Sequence, residues 1–248
     1  AYFVIALTAT CCAKAVEEGP NEAQERYFNA WMEIHHADKQ PTGLGIYVLE
    51  ETEGNGAVIT EDNYVYASYT VTDLEGNITS YTEKETAEQL GKYIPSDYYG
   101  PKVITTFENT IQAGLNDALV GMKVRGRKKV IIPSWLMTYN TYDTPEEYKE
   151  NASSGTSAIY DITVTDVALD ISKHEIRQMA QYFADNGDIF GMMASRDSLK
   201  GHEGCYYKQL KAPIDTTSFP SDTTIYINYT GKLLNGLVFD TTIEKVAK

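Results

Sequence analysis

Two stretches of this chain, 160 positions apart, follow a single plan. Residues Tyr229 to Asp240 read Y-T-G-K-L-L-N-G-L-V-F-D. That predicts a strand, a turn at Asn235-Gly236 and a return strand delivering Phe239 and Asp240. Tyr69 and Gly76 stand where Tyr229 and Gly236 stand in the later copy. Around each tyrosine the same order recurs: a helical stretch, a polar or Gly/Pro-containing loop, a short strand, then an alternating strand. An offset of this size implies two homologous domains rather than a stack of short repeats.

The surrounding pattern supplies the elements. Asn21 to His36 has helical spacing, with Tyr27, Trp31 and Ile34 on one face and Glu22, Glu25 and Arg26 on another. Ile46 to Glu51 and Asn63 to Thr72 read as strands, the second alternating as Y-V-Y-A-S-Y-T-V-T. Ser80 to Gly100 is polar, with a helical piece at Glu83 to Gly91, and Val103 to Thr106 is a further strand. Gln112 to Gly121 predicts a short helix with Leu115, Ala118 and Leu119 inward. Lys123 to Ile132 is a basic turn and strand, Tyr139 to Thr156 an insertion, and Ser157 to Asp170 a clean alternating strand. Ser172 to Asn186 is a helix with a Ser172/Glu175 capping box and Gly187 at its end. Gly204 to Gln209 and Thr224 to Gly231 are strands of the second copy. Strands joined by short turns, with one short helix, imply an α+β fold: an antiparallel sheet wrapped on a helix, repeated, with helical linkers. The expected divisions are 1–20, 21–45, 46–170, 171–203 and 204–248, the last being only the beginning of its domain.

Charge narrows the partners. With 21 basic and 35 acidic residues the net charge is -14, which argues against nucleic acid and anionic membrane surfaces. Nineteen tyrosines suit half-buried strands and polar-rimmed pockets. Ala1 to Thr10 is apolar or small and closes on Cys11-Cys12, a run too short to span a bilayer as a helix. It resembles the lipidation signal of bacterial lipoproteins, with Cys11 or Cys12 as the modified residue and the polar stretch Lys14 to Asn21 as a tether. Thr10 or Cys11 stands where that signal prefers Gly, Ala or Ser. The other reading is a buried strand with two ordinary cysteines. His35-His36 with Asp38 lacks a second ligand pair at fixed spacing and reads as a solvated helix end.

The order of pieces resembles the FK506-binding-protein family of peptidyl-prolyl isomerases. Gly114 to Pro133, G-L-N-D-A-L-V-G-M-K-V-R-G-R-K-K-V-I-I-P, is similar to that family's central helix and strand, and Tyr229-Thr-Gly through Phe239-Asp240 to its first hairpin. The resemblance implies Tyr229, Phe239 and Asp240 as catalytic residues. It implies Tyr69, Ile111, Leu115, Tyr139 and Tyr160 as substrate-binding ones, with no cofactor and no metal. In the first copy the family's Phe-Asp pair falls on Thr79 and Ser80, its floor tryptophan on Leu115, and a further tyrosine near Thr138, with Tyr139 adjacent. The first domain therefore keeps the fold block while lacking the carboxylate and one aromatic.

The implied substrate is an X-Pro bond in unfolded or proline-containing polypeptide. The implied setting is the cell envelope, lipid-anchored on the periplasmic side or outer membrane. Rotation about a peptide bond meets a barrier of roughly 18–20 kcal/mol. Its catalyst need only bind the twisted amide better than the planar one. A dry aromatic pocket does so, because the twisted form has the less polar carbonyl. Two other readings stay open: a non-catalytic groove for proline-containing segments, and a purely architectural role in which the first domain and the Asn21 to His36 helix form a dimerising arm.

Overall fold

The alternating run around Tyr69 becomes the strand on which the main sheet is assembled. The structure, a computed structural model, describes residues 19, 21–152, 155–185, 211–212, 214–215, 217–233 and 236–247. In chain order its elements are α1 (Glu22–His35), β1 (Tyr47–Thr52), β2 (Tyr64–Thr72), β3 (Ile78–Tyr81), α2 (Lys84–Gln89) and β4 (Lys102–Thr105). They continue with α3 (Ala113–Leu119), β5 (Arg127–Ile132), α4 (Pro145–Asn151), β6 (Ala158–Ala168), α5 (Ile171–Asp185), β7 (Thr230–Lys232) and β8 (Val238–Thr241). The architecture is α+β, with one main antiparallel sheet and a separate two-stranded one, β7–β8.

The main sheet runs β1-β5-β6-β2-β3, with β4 also paired to β2. The first half of β2, from Tyr64 to Ala67, pairs with β4, and the last part, from Thr70 to Thr72, with β3. Both therefore lie along the same edge. Alternation along β2 sends Val65, Ala67 and Val71 inward, toward α3. There Val65 and Ala67 share one core with Leu115, Ala118 and Leu119, as the helical spacing predicts. Gly114 lets α3 lie close on β5, because a Cβ there would sit 2.4 Å from Cγ2 of Ile132. On the opposite face α5 lies across β2, with the His174 ring stacked on Tyr66 at 4.4 Å.

Three elements depart from the sequence reading. α1 turns Phe28 and Met32 inward, not the Tyr27 and Ile34 face, which stays exposed. Phe28 meets Trp135 edge-on at 5.4 Å, so the i,i+4 apolar pair decides the orientation. This helix, set apart in sequence over 21–45, shares the core of the sheet. The 139–156 insertion contains α4, which begins with Thr144 accepting from the Glu147 N–H at 3.2 Å and Pro145 in the first turn. Asn21 then ties α1 to the end of α4, its Nδ2 donating to the Lys149 and Ala152 carbonyls at 2.9 Å each. Finally, α5 is capped by Asp170, whose Oδ1 accepts from the Lys173 N–H at 3.0 Å, rather than by a Ser172/Glu175 box. Asp170 stands at the end of β6, nearer the chain's turn into the helix.

The basic run beside α3 is neutralised within the sheet. Arg127 on β5 donates to both carboxylate oxygens of Asp161 on β6, at 2.8 and 2.6 Å, and to Glu50 on β1 at 2.9 Å. Those partners raise its pKa further above its ordinary value, the Asp161 hydrogen bonds most. Cys11, Cys12, Cys205, the predicted strand Gly204 to Gln209 and the 186–203 part of the linker lie outside the described residues. The predicted strand Thr224 to Gly231 is strand only from Thr230. Before Thr230, Tyr229 bonds to Thr242 on the return side.

Candidate functional site

A strand alternating toward a short helix leaves a recess where the helix begins. Tyr69 on β2, Tyr160 on β6, and Ile111 and Leu115 at the start of α3 line such a cavity, of about 310 Å³. Val71, Ser80, Ile104, Thr105, Thr110 and Gln112 complete most of the wall, and every one of these side chains is uncharged. Ile111 and Leu115 are 7% and 6% exposed, so the floor is dry and aliphatic. Burial, with the nearby phenols of Tyr69 and Tyr139, pushes the Tyr160 hydroxyl up to about 12. It therefore remains a proton donor at any physiological pH.

Four of the five residues expected to bind substrate meet in this cavity. The fifth, Tyr139, lies beyond Ile111 in the neighbouring cleft. Its hydroxyl accepts from Nε2 of Gln112 at 3.1 Å, which links the two recesses. Gln112 was missed in the sequence, since a polar residue at a helix start carries no distinctive spacing.

Tyr69 is fixed from both sides of its own backbone. Its N–H donates to Oγ1 of Thr82 at 2.9 Å, and its carbonyl accepts from the Thr82 N–H at 3.0 Å. In the C-terminal hairpin the Tyr229 N–H donates to Oγ1 of Thr242 at 2.9 Å, and the Tyr229 carbonyl accepts from the Thr242 N–H at 3.1 Å. The registers agree as well. Val71 faces Ser80 and Thr72 faces Ile78 across a bulge, while Gly231 faces Asp240 and Lys232 faces Val238 across another. Gly76 and Gly236 close the turns at φ +87° and +88°, a region costly for residues with a Cβ. Their N–H groups donate to the carbonyls of Asp73 and Leu233 at 3.2 and 2.9 Å. Each of these pairs is offset by 160 residues.

The side chains differ where chemistry would be done. The Tyr229 hydroxyl donates to Oδ2 of Asp240, and that bond raises the phenol's pKa above its ordinary value. The Phe239 ring lies on Gly231, so closely that a Cβ there would be 2.7 Å from its Cζ. At the same positions in the first hairpin stand Ser80, Thr79 and Val71. Thr79 Oγ1 donates to the Val71 carbonyl at 3.2 Å, and Val71 is buried against the cavity. The first hairpin thus has a valine on one strand where the second has a phenylalanine from the other. The glycine-for-valine exchange is visible in the sequence, but only the register shows that it faces the Phe239 position. Among the described residues Tyr229 and Phe239 are 41% and 62% exposed.

Among the described residues no group of three or more His, Cys, Asp or Glu is placed to hold a metal ion. No helix among them is long and apolar enough to cross a membrane. No family model and no curated protein matches the chain. Among solved structures it is similar to FkpA from Escherichia coli, with 16% identity and a TM-score of 0.38 over 60% of this chain and 59% of that one. The chain thus spans less than two thirds of FkpA. It is also similar to a peptidyl-prolyl cis-trans isomerase from Pseudomonas syringae pv. tomato, with 17% identity and a TM-score of 0.41 over 62% of this chain and 99% of that one. A third likeness, to the three FKBP domains of wheat FKBP73, has 20% identity and a TM-score of 0.34 over 50% of this chain and 46% of that one.

Proposed function

We propose that this chain is a prolyl isomerase of the FK506-binding-protein type, built from two copies of one domain. The first copy covers 46–170 and the second begins at 204. The observation that carries this reading is the hydrogen-bond plan common to the two hairpins. It ties the Tyr229, Phe239 and Asp240 set to a first hairpin whose tyrosine already borders an uncharged cavity.

The substrate is an X-Pro bond in unfolded polypeptide of exported or envelope proteins. The two isomers of such a bond are close in energy and exchange over tens of seconds or longer. No bond is broken, so the work of the site is to favour the twisted amide. An uncharged aromatic and aliphatic wall penalises the planar amide's polar carbonyl more than that of the twisted one. Phe239 supplies that wall in the second copy, and the Tyr229–Asp240 pair orients the groups beside the substrate carbonyl.

The first copy supports a second reading, as a binding groove. Ser80 and Thr79 replace the carboxylate and the ring, while Tyr69, Ile111, Leu115 and Tyr160 still enclose a cavity. It holds proline-containing segments with little turnover. We further place the protein at the cell envelope, anchored through Cys11 or Cys12. Fatty-acid labelling of cells, lost in the Cys11→Ser/Cys12→Ser double variant, checks that assignment.

The catalytic and binding readings separate in a protease-coupled isomerisation assay on the full chain. Loss of activity in Phe239→Ala and Asp240→Ala supports the second copy as the active one. Unchanged activity in both variants removes that assignment. Background activity in the unmodified protein together with suppressed aggregation of an unfolded client supports the binding module alone.

A further inference from the structure

The edge of the main sheet carries a feature that the isomerase reading does not use. β4 pairs only with β2 among the described residues, with Tyr66 opposite Val103 and Val65 opposite Ile104. The register continues to Thr106, whose N–H donates to the Asn63 carbonyl at 2.9 Å. In an antiparallel pair such bonds fall on alternate residues, so Ile104 and Lys102 bond to β2. The N–H and C=O groups of Val103 and Thr105 therefore point away from the sheet. Val103 is 39% exposed.

This edge runs between two recesses on opposite faces of the sheet. On the α3 side is the cavity of Tyr69 and Leu115, to which Val103, Ile104 and Thr105 belong. On the α5 side is a larger cleft of about 870 Å³, walled by Tyr66, Tyr98, Pro101 and Met179, to which Lys102 and Val103 belong. The buried His174 ring, stacked on Tyr66, fixes the floor of that cleft.

We propose that β4 is a docking edge for an extended segment of a second polypeptide, which adds a strand to the sheet and feeds both recesses at once. Only an extended backbone offers donors and acceptors that match two outward residues spaced i and i+2. Its successive side chains point to opposite faces. A proline entering the α3-side cavity thus brings the adjacent apolar or aromatic side chain over the cleft beside Met179. The prolyl occupant of the first recess rests on the function proposed above, whereas strand addition does not.

The test uses the full chain and a fluorescein-labelled peptide, Ala-Phe-Leu-Pro-Phe-Ala, read by anisotropy. Single N-methylation along the peptide is expected to weaken binding at alternate amides by at least about tenfold and to leave the amides between them unaffected. Val103→Pro removes an edge donor and is expected to weaken binding similarly. The peptide series needs no altered protein and stands if that variant misfolds. Uniform tolerance of N-methylation, with binding kept in Val103→Pro but lost in Tyr69→Ala, overturns strand addition and leaves the prolyl pocket intact. Binding lost in Val103→Pro yet unchanged in Tyr69→Ala upholds strand addition and removes the prolyl pocket. No binding by the unmodified protein overturns the docking edge.

Discussion

At the scale of single residues, the contrast between Val71 with Thr79 and Gly231 with Phe239 is a matter of volume. A ring seated over a glycine cannot be seated over a valine without displacing one of them. Thr79 is exposed on β3, so in Thr79→Phe alone the ring stays off Val71 and stability should change by no more than about 0.5 kcal/mol. Val71→Gly alone should destabilise it by about 2–4 kcal/mol, through a cavity and a glycine in a strand. The double variant should be less destabilised than the sum by at least about 1 kcal/mol. Urea denaturation of the four proteins measures the coupling, and strict additivity contradicts the shared position.

Tyr160 adds a pH dependence. Burial raises its folded pKa from 10.0 to about 12, and burial does the same for Tyr66. Below about pH 10 both folded and unfolded states keep the phenol. Between about 10 and 12 the unfolded chain loses protons that the folded one retains, so stability falls through that window. The midpoint in denaturant should decline less steeply there in Tyr160→Phe. An unchanged slope contradicts the burial of that hydroxyl.

At the scale of elements, packing rather than spacing settles which face is buried. The tyrosine face of α1 is amphipathic in sequence, yet Phe28 and Met32 are the buried pair, and Phe28 reaches Trp135 and Tyr47. Phe28→Ala should lower stability by about 3–5 kcal/mol, measured by urea denaturation. A change under about 1 kcal/mol would mean that α1 stands free as an arm. Thr144→Ala removes the cap of α4 and should cost about 1 kcal/mol, since α4 in turn receives Asn21 at its far end.

Strands β2, β5 and β6 and helix α3 were legible in sequence because alternation and helical spacing act locally. The hairpin plan was legible because glycine and tyrosine recur in register. The side-chain exchange across the bulge was not, since pairing brings together residues eight apart that no local pattern connects. Nor was α4 read, although Thr144, Pro145 and Glu147 form a recognisable helix start. The turn residues around them masked it. Of the cavity, Tyr69, Ile111, Leu115 and Tyr160 could be named from the family resemblance. Gln112 depends on a contact across the fold, with Tyr139, whereas Thr82 recurs at Thr242 and was open to the same repeat argument as Tyr69.

At the scale of the whole molecule, a chain of net charge -14 presents one uncharged cavity and one aromatic hairpin of the same backbone plan. In the function proposed above, the cavity belongs to a binding copy and the hairpin to a catalytic copy, both acting on the same kind of bond. A protease-coupled assay of X-Pro isomerisation by the full chain tests this most directly. Catalysed isomerisation is expected, falling at least about tenfold in Phe239→Ala and changing little in Leu115→Ala. Isomerisation at the uncatalysed rate, or a rate that depends on Leu115 and is indifferent to Phe239, contradicts it.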